Sequence, residues 1–252
     1  MKILLTNDDG FLSKGIRVLF EHLKKIAEVI IVAPESQRSA VALSLSLHKP
    51  LRLHQIKKNV YISDGTPADC VNLGLFALMK NEAPDLIVSG INSGPNLAED
   101  VFYSGTVGAV LEGRFRNICG LAVSMLADKN GDYNFNIGAE YAVKIIKKYF
   151  STKQKKIISL NLNVPSLKKI SDIKGIKITK LDNHKYPGEI TERIDTSGQK
   201  YYWIGGSKPV FANSKDSDYN AVLNSFASLT PLLPEITDIE LLRKLKNGGG
   251  IK

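Results

Sequence analysis

MKILLTNDDG, residues 1–10, is a short apolar run that ends abruptly in Asn7, two adjacent carboxylates and a glycine. The run shows no alternation of apolar and polar residues, which predicts a central parallel strand covered on both faces. Sheets of that kind place their ligands outside the carboxyl ends of the strands. Asp8 and Asp9 stand on that rim. Two neighbouring anions at the end of a buried strand repel each other and resist desolvation, and a bound cation relieves both costs. Read alone, the pair fits a turn at Asp9-Gly10 with Asp8 as a helix cap equally well.

Outward from this strand, the pattern alternates strand and helix. Lys14 to Ile26 has the spacing of an amphipathic helix, and Val29 to Ala33 is a second strand closed by Pro34. Leu43 to Leu53 interleaves Leu with Ser, His and Arg, which predicts a half-exposed excursion of extended chain. Tyr61 to Ser63 reads as strand, and DGTPAD, residues 64–69, turns into a helix expected over Cys70 to Lys80. DLIVS at 85–89, GLAVS at 120–124 and Ile157 to Asn161 add apolar strands. From there the pattern changes. Gly175 to Lys180, Gly188 to Arg193 and Tyr201 to Ile204 read as strands of hairpins, and Ser225 to Leu229 as one more. Pro231 and Pro234 follow, then a short helix over Ile239 to Leu245 capped by Asp238 and closed by Gly248-Gly249-Gly250. The expected architecture is α/β: a Rossmann-like, doubly wound, mainly parallel sheet over 1–165 and a smaller β-rich lobe over 166–252, within one domain of 1–252.

A chain of 252 residues with 43% apolar content supports one large core. No basic leader precedes the first strand and no run approaches the length of a membrane span, so a soluble cytoplasmic protein without membrane contact is expected. Cys70 and Cys119 make neither a disulfide framework nor a zinc cluster and read as buried thiols. Much of the net charge of +9 lies in Lys144, Lys147, Lys148, Lys153, Lys155 and Lys156, at the end of a predicted helix. Cations there complement the helix terminus, and no aromatic residues interleave with them, so no specific nucleic acid is expected.

The stretch SGINSGPNLAEDVFYSGTVGAVLEG, residues 89–113, is a second chemical centre. Gly90, Gly94 and Pro95 make an irregular loop after a strand, bringing Asn92, Ser93 and Asn96 to the same rim as Asp8 and Asp9. Ser104-Gly105-Thr106 opens a small-residue helix, where backbone N–H groups and the positive helix end suit phosphate. Helix capping by Ser104 or Thr106 explains the same residues.

Taken together, LLTNDDG at 4–10, VAPESQRSA at 32–40, DGTPADCV at 64–71 and the VSGINSGPNL and YSGTVGAVLEG segments between 88 and 113 resemble the SurE family, the survival-protein phosphatases that act as 5′-nucleotidases. LNLNVP at 160–165, KGIKIT at 174–179, YYWIGG at 201–206 and LTPL at 229–232 match more loosely, and SDYNAV at 217–222 only approximates the family's acidic-aromatic stretch. The resemblance implies that Asp8, Asp9, Ser39 and Asn92 hold one divalent cation per subunit, and that Asn96, Ser104, Gly105 and Thr106 line the phosphate pocket. It also implies that Asp8 and Asp9 are the catalytic carboxylates. An all-oxygen ligand set selects Mg²⁺ or Mn²⁺. The implied activity is hydrolysis of nucleoside 5′-monophosphates, with short polyphosphate as a further substrate, by a homodimer or homotetramer. Without the resemblance, Gln37-Arg38-Ser39 reads as an exposed polar turn. The alternative is a non-catalytic nucleotide- or RNA-binding regulator. An aspartyl-phosphate phosphatase is disfavoured, because the D-x-D spacing it needs is absent around Asp8. His22, His48, His54 and His184 lie in no recognised motif and read as structural or exposed, which leaves the general acid unnamed.

Overall fold

The computed structural model describes residues 1–152, 156–185, 188, 190–204 and 209–247. Lys153 and Lys155 of the basic cluster, Glu189, the Gly205-Gly206 pair and the terminal Gly248-Gly249-Gly250 lie outside these. The chain runs β1 (Lys2–Thr6), α1 (Lys14–Leu23), β2 (Glu28–Pro34), β3 (Leu53–Lys57), β4 (Val60–Ser63), α2 (Pro67–Leu73), β5 (Leu86–Ser93), α3 (Gly105–Phe115), β6 (Cys119–Leu126), α4 (Phe135–Tyr149) and β7 (Ser159–Pro165). It continues through β8 (Ile176–Ile178), β9 (His184–Lys185), β10 (Ile190–Ile194), β11 (Lys200–Ile204), β12 (Val210–Phe211), α5 (Asp218–Leu223), β13 (Ala227–Pro231) and α6 (Ile239–Asn247).

Nine strands form one sheet in the order β3-β4-β2-β1-β5-β6-β7-β13-β8. The six from β4 to β7 are parallel, whereas β3 and β13 run against their neighbours β4 and β7. Side chains alternate across the strands, so β1 sends Ile3 and Leu5 to one face and Leu4 to the other. Ile3 and Leu5 pack with Ile16, Leu19 and Leu23 of α1 and Ile145 of α4; Leu4 packs with Cys70 and Val71 of α2 and Ala109 of α3. Both faces are therefore dry, which is why the strand lacks alternation. Cys70 and Cys119 are buried and reduced, and burial pushes the Cys70 thiol far above its ordinary range.

The sequence places the second helix too late. Thr66 caps α2 by accepting a bond from the Asp69 N–H, and the Asp69 carboxylate in turn accepts from the Thr66 N–H. With Pro67 in the first turn, these signals start the helix inside DGTPAD. It ends its α-helical course at Leu73 and closes in a π-helical turn over Gly74–Leu78.

The C-terminal third also differs. β8 and β13, expected as strands of a separate lobe, pair in parallel with each other and extend the main sheet through β7. The sheet therefore crosses the boundary expected at residue 165. Among the described residues, the antiparallel pairs β10-β11 and β9-β12 stand apart from it. The Leu43 to Leu53 stretch is irregular and exposed for most of its length, with β3 starting at its end. Lys144, Lys147, Lys148 and Lys156 are exposed, and no described helix is long and apolar enough to cross a membrane.

Candidate active site

The chain leaves β1 on one side to form β2 and β4, and later returns on the other side as β5. β1 and β5 are adjacent parallel strands, so a crevice opens between the loops at their carboxyl ends. Asp8 and Asp9 follow β1, Asn92 ends β5, and Ser39 lies in the loop after β2. A pocket of about 280 Å³ is lined by Asp8, Asp9, Ser39, Asn92, Asn96 and Ser104 together with Gln37, Ser93, Asp100 and Tyr103. Six of the eight residues singled out from the sequence thus share one wall-to-wall cavity.

Each acid is held differently. Asp8 is 5% exposed, and its carboxylate accepts bonds from the Thr106 hydroxyl and backbone N–H. Burial pushes its pKa up to about 6, with the Asp9 charge adding to the rise and the Thr106 bonds opposing it. Asp9 Oδ2 accepts from the Ser93 N–H at 2.9 Å and the Ser93 hydroxyl at 3.0 Å. The Arg38 N–H donates to the Asp8 carbonyl at 2.7 Å, tying the loop after β2 to the loop after β1. Gly10, at φ +89°, turns the chain away where a Cβ would strike the Ser36 backbone at 3.0 Å. Asn7 clamps the turn by donating to the Gly10 carbonyl and the Ser13 hydroxyl, each at 2.9 Å.

Among the described residues, no group of three His, Cys, Asp or Glu side chains is arranged to hold a metal. Neutral oxygens must complete any cation site, and those present fit a hard ion. The Asn92 amide nitrogen is anchored on the Gly94 carbonyl at 2.9 Å, which fixes the orientation of the side-chain amide at the pocket wall. Gln37 Nε2 donates to Ser39 Oγ at 2.8 Å and holds that hydroxyl at the pocket wall.

The four residues expected on the phosphate side fall in different places. Thr106 is fully buried and spends its hydroxyl on Asp8, so it does not line the pocket. Gly105 does not line it either; a Cβ there would lie 3.0 Å from Asp8 Cβ, and its role is to let α3 sit against that acid. Ser104 does reach the pocket while capping α3, its oxygen accepting from the Val107 N–H at 3.0 Å. Asn96, expected to face phosphate, lines the pocket, and its Nδ2 donates one hydrogen to Ser124 Oγ at 2.8 Å. Its main chain is gripped as well. Asn163 Oδ1 accepts from the Asn96 N–H at 2.8 Å, and Asn163 and Asn161 both donate to its carbonyl.

Several supporting residues escaped sequence reasoning. The sequence places Ser93 on the rim, but not as the residue that holds Asp9. Asn161 and Asn163 sit in LNLNVP with nothing local to tell a buried amide from a solvated one. His184, read as structural or exposed, has a side chain 2% exposed between two acids, with Nδ1 2.6 Å from Glu99 and Nε2 3.3 Å from Asp100.

The sequence model of the family described as Survival protein SurE matches residues 3–188. A protein named 5′-nucleotidase SurE from Alkaliphilus metalliredigens is 39% identical over 252 residues, covering 98% of each chain. The protein of the same name from Geobacter sulfurreducens is 40% identical, covering 98% of this chain and 93% of its own. The crystal structure of the SurE protein from Aquifex aeolicus superposes with a TM-score of 0.85 at 39% identity, covering 98% of this chain and 99% of that one. With likeness of this extent in sequence and in fold, the chain belongs to the SurE family.

Proposed function

We propose that the protein is a divalent-metal-dependent phosphatase that hydrolyses nucleoside 5′-monophosphates to nucleoside and phosphate. The observation that carries this reading is the convergence of Asp8, Asp9, Ser39 and Asn92 on one pocket with Ser104 at the start of α3. The names of its relatives supply the substrate class. Asp8, Asp9, Ser39 and Asn92 would hold one Mg²⁺ or Mn²⁺ ion. Such an ion supplies positive charge to the phosphoryl oxygens and lowers the pKa of water at the site. Two carboxylates cancel its charge, so neutral donors must balance the phosphate dianion. Ser104 can do both of its tasks, since its oxygen caps the helix while a hydroxyl still has a proton to donate to a phosphate oxygen. The N-terminus of α3 adds its positive dipole end. Asn96 shapes the wall through its anchored backbone, and Thr106 and Gly105 act through Asp8. Phosphoryl transfer asks mainly for positioning and charge stabilisation, which is what a network so fully bonded provides.

Phosphate release from nucleoside monophosphates, measured with Mg²⁺ or Mn²⁺ and again with excess EDTA, tests the reading. Release that chelation abolishes is expected. No release from any phosphomonoester with either metal added would leave a non-catalytic nucleotide-binding regulator as the better account.

We further infer that 1–252 acts as one domain and assembles as a homodimer or homotetramer. α6 has no buried residue, and Leu241 and Leu245 on it are 50% and 63% exposed. An apolar face of that kind on a proline-led arm fits a second subunit.

A further inference from the structure

The pocket holds two residues that neither cation nor phosphate explains. Tyr103 lines it with a side chain 64% exposed, although its backbone is fixed: its N–H donates to the Asp100 carbonyl and its carbonyl accepts from Ala42, both at 3.0 Å. Asp100 lines it too, and a carboxylate repels a phosphate dianion. Both belong to the turn of 3₁₀ helix Ala98–Phe102 and its cap. That turn is pinned from outside. Asp218, fully buried in α5, accepts from the Ala98 N–H at 2.9 Å, and Ala98 takes φ +50°. Glu99 accepts from the His184 N–H at 2.8 Å, and the buried His184 ring lies between Glu99 and Asp100. The C-terminal third of the chain thus braces a rigid shelf one peptide away from Ser104.

Resting on the nucleotidase reading, we propose that this shelf is the nucleoside end of the pocket: the Tyr103 ring stacks on the base, and the Asp100 carboxylate accepts hydrogen bonds from the sugar hydroxyls. A flat ring on a fixed backbone offers a base a large contact at little entropic cost, and stacking is tolerant of base identity. Neutral hydroxyl donors suit a carboxylate that anions would avoid. The proximity of Tyr103 to Ser104 puts the base end beside the phosphate end, as a single nucleotide requires.

Specificity constants for adenosine 5′-monophosphate and ribose 5-phosphate, measured on the Mn²⁺-loaded enzyme, test this. Tyr103→Ala should lower the ratio of the two roughly tenfold, the order expected for losing one base–aromatic stack, and Tyr103→Phe should preserve it. Asp100→Asn should lower the constant for adenosine 5′-monophosphate relative to its 2′,3′-dideoxy analogue by roughly fivefold, as for a hydrogen bond that keeps its acceptor but loses the charge. Equal losses on both substrates, unchanged ratios, or a fall in oligomer mass with Tyr103→Ala would overturn the assignment. If the wild type releases no phosphate from either compound, the catalytic reading fails instead. Calorimetric binding of the same pair then reads the Tyr103 ratio directly, and an unchanged ratio overturns the shelf.

Discussion

Asp8 is buried beside a second carboxylate, and burial holds its pKa up to about 6 against the ordinary 3.8. The native state therefore keeps a proton that the unfolded chain has released, and metal-free stability falls as pH rises from about 4 to above 6. A two-unit shift amounts to on the order of 3 kcal/mol once Asp8 is ionised. Asp8→Asn removes that cost, so the metal-free variant should melt higher than wild type at pH 8 and equally at pH 4, while phosphate release is lost. Equal melting at both values would show that Asp8 carries no buried charge. A cation stabilises the ionised carboxylate, so Mn²⁺ affinity measured by calorimetry should weaken as pH drops below about 6. Thr106 divides from Ser104 on the same physics. Thr106→Val strips a donor from Asp8 and should weaken Mn²⁺ binding, whereas Ser104→Ala should leave it intact, cost about 1 kcal/mol of stability as a lost cap, and raise KM. Sequence puts both residues in one phosphate loop; which one turns toward the acid depends on how α3 is seated.

At the scale of elements, the loop after β5 owes its shape to β6 and β7. Asn163, fully buried on β7, both accepts from and donates to the Asn96 backbone. Asn163→Ala leaves the Asn96 N–H without its partner, which should cost roughly 1–3 kcal/mol in urea unfolding. Turnover should fall with it, because Asn92 and Asn96 lose their fixed spacing. A stability loss with unchanged turnover would separate this loop from the chemistry. The Asn pair was not legible in the strand, since alternation tells which residues share a face but not which loop they will meet. α2 shows the reverse case: Thr66, Pro67 and Asp69 are start signals within one turn, readable from sequence alone, and they place the helix start where the apolar pattern does not.

For the molecule as a whole, β1 stands where the strand order reverses, with β2 on one side and β5 on the other, and the rest of the site follows from that position. The exposed arm with α6 is one apolar part that a single chain leaves uncovered. Deleting residues 235–252 should reduce the mass measured by light scattering, and a wild-type monomer at micromolar concentration would refute the assembly. What the sequence determined is local: the unbroken apolar run of β1, the acids at its end, the glycine-bearing loop and the capped start of α3, each encoded within a few residues by burial, sterics and hydrogen-bonding valence. Those features fixed the α/β class and brought Asp8, Asp9, Asn92 and Ser104 forward as candidates. Only the tertiary structure decided that β8 and β13 complete the main sheet, that Thr106 serves Asp8, that Asn161 and Asn163 hold Asn96, and that His184 braces Asp100. The side-chain pairings among these join residues 65 to 98 positions apart, and a hydroxyl, an amide or an imidazole carries no local mark of a partner so distant. The partner is set by which strands lie side by side, and that is a property of the folded sheet.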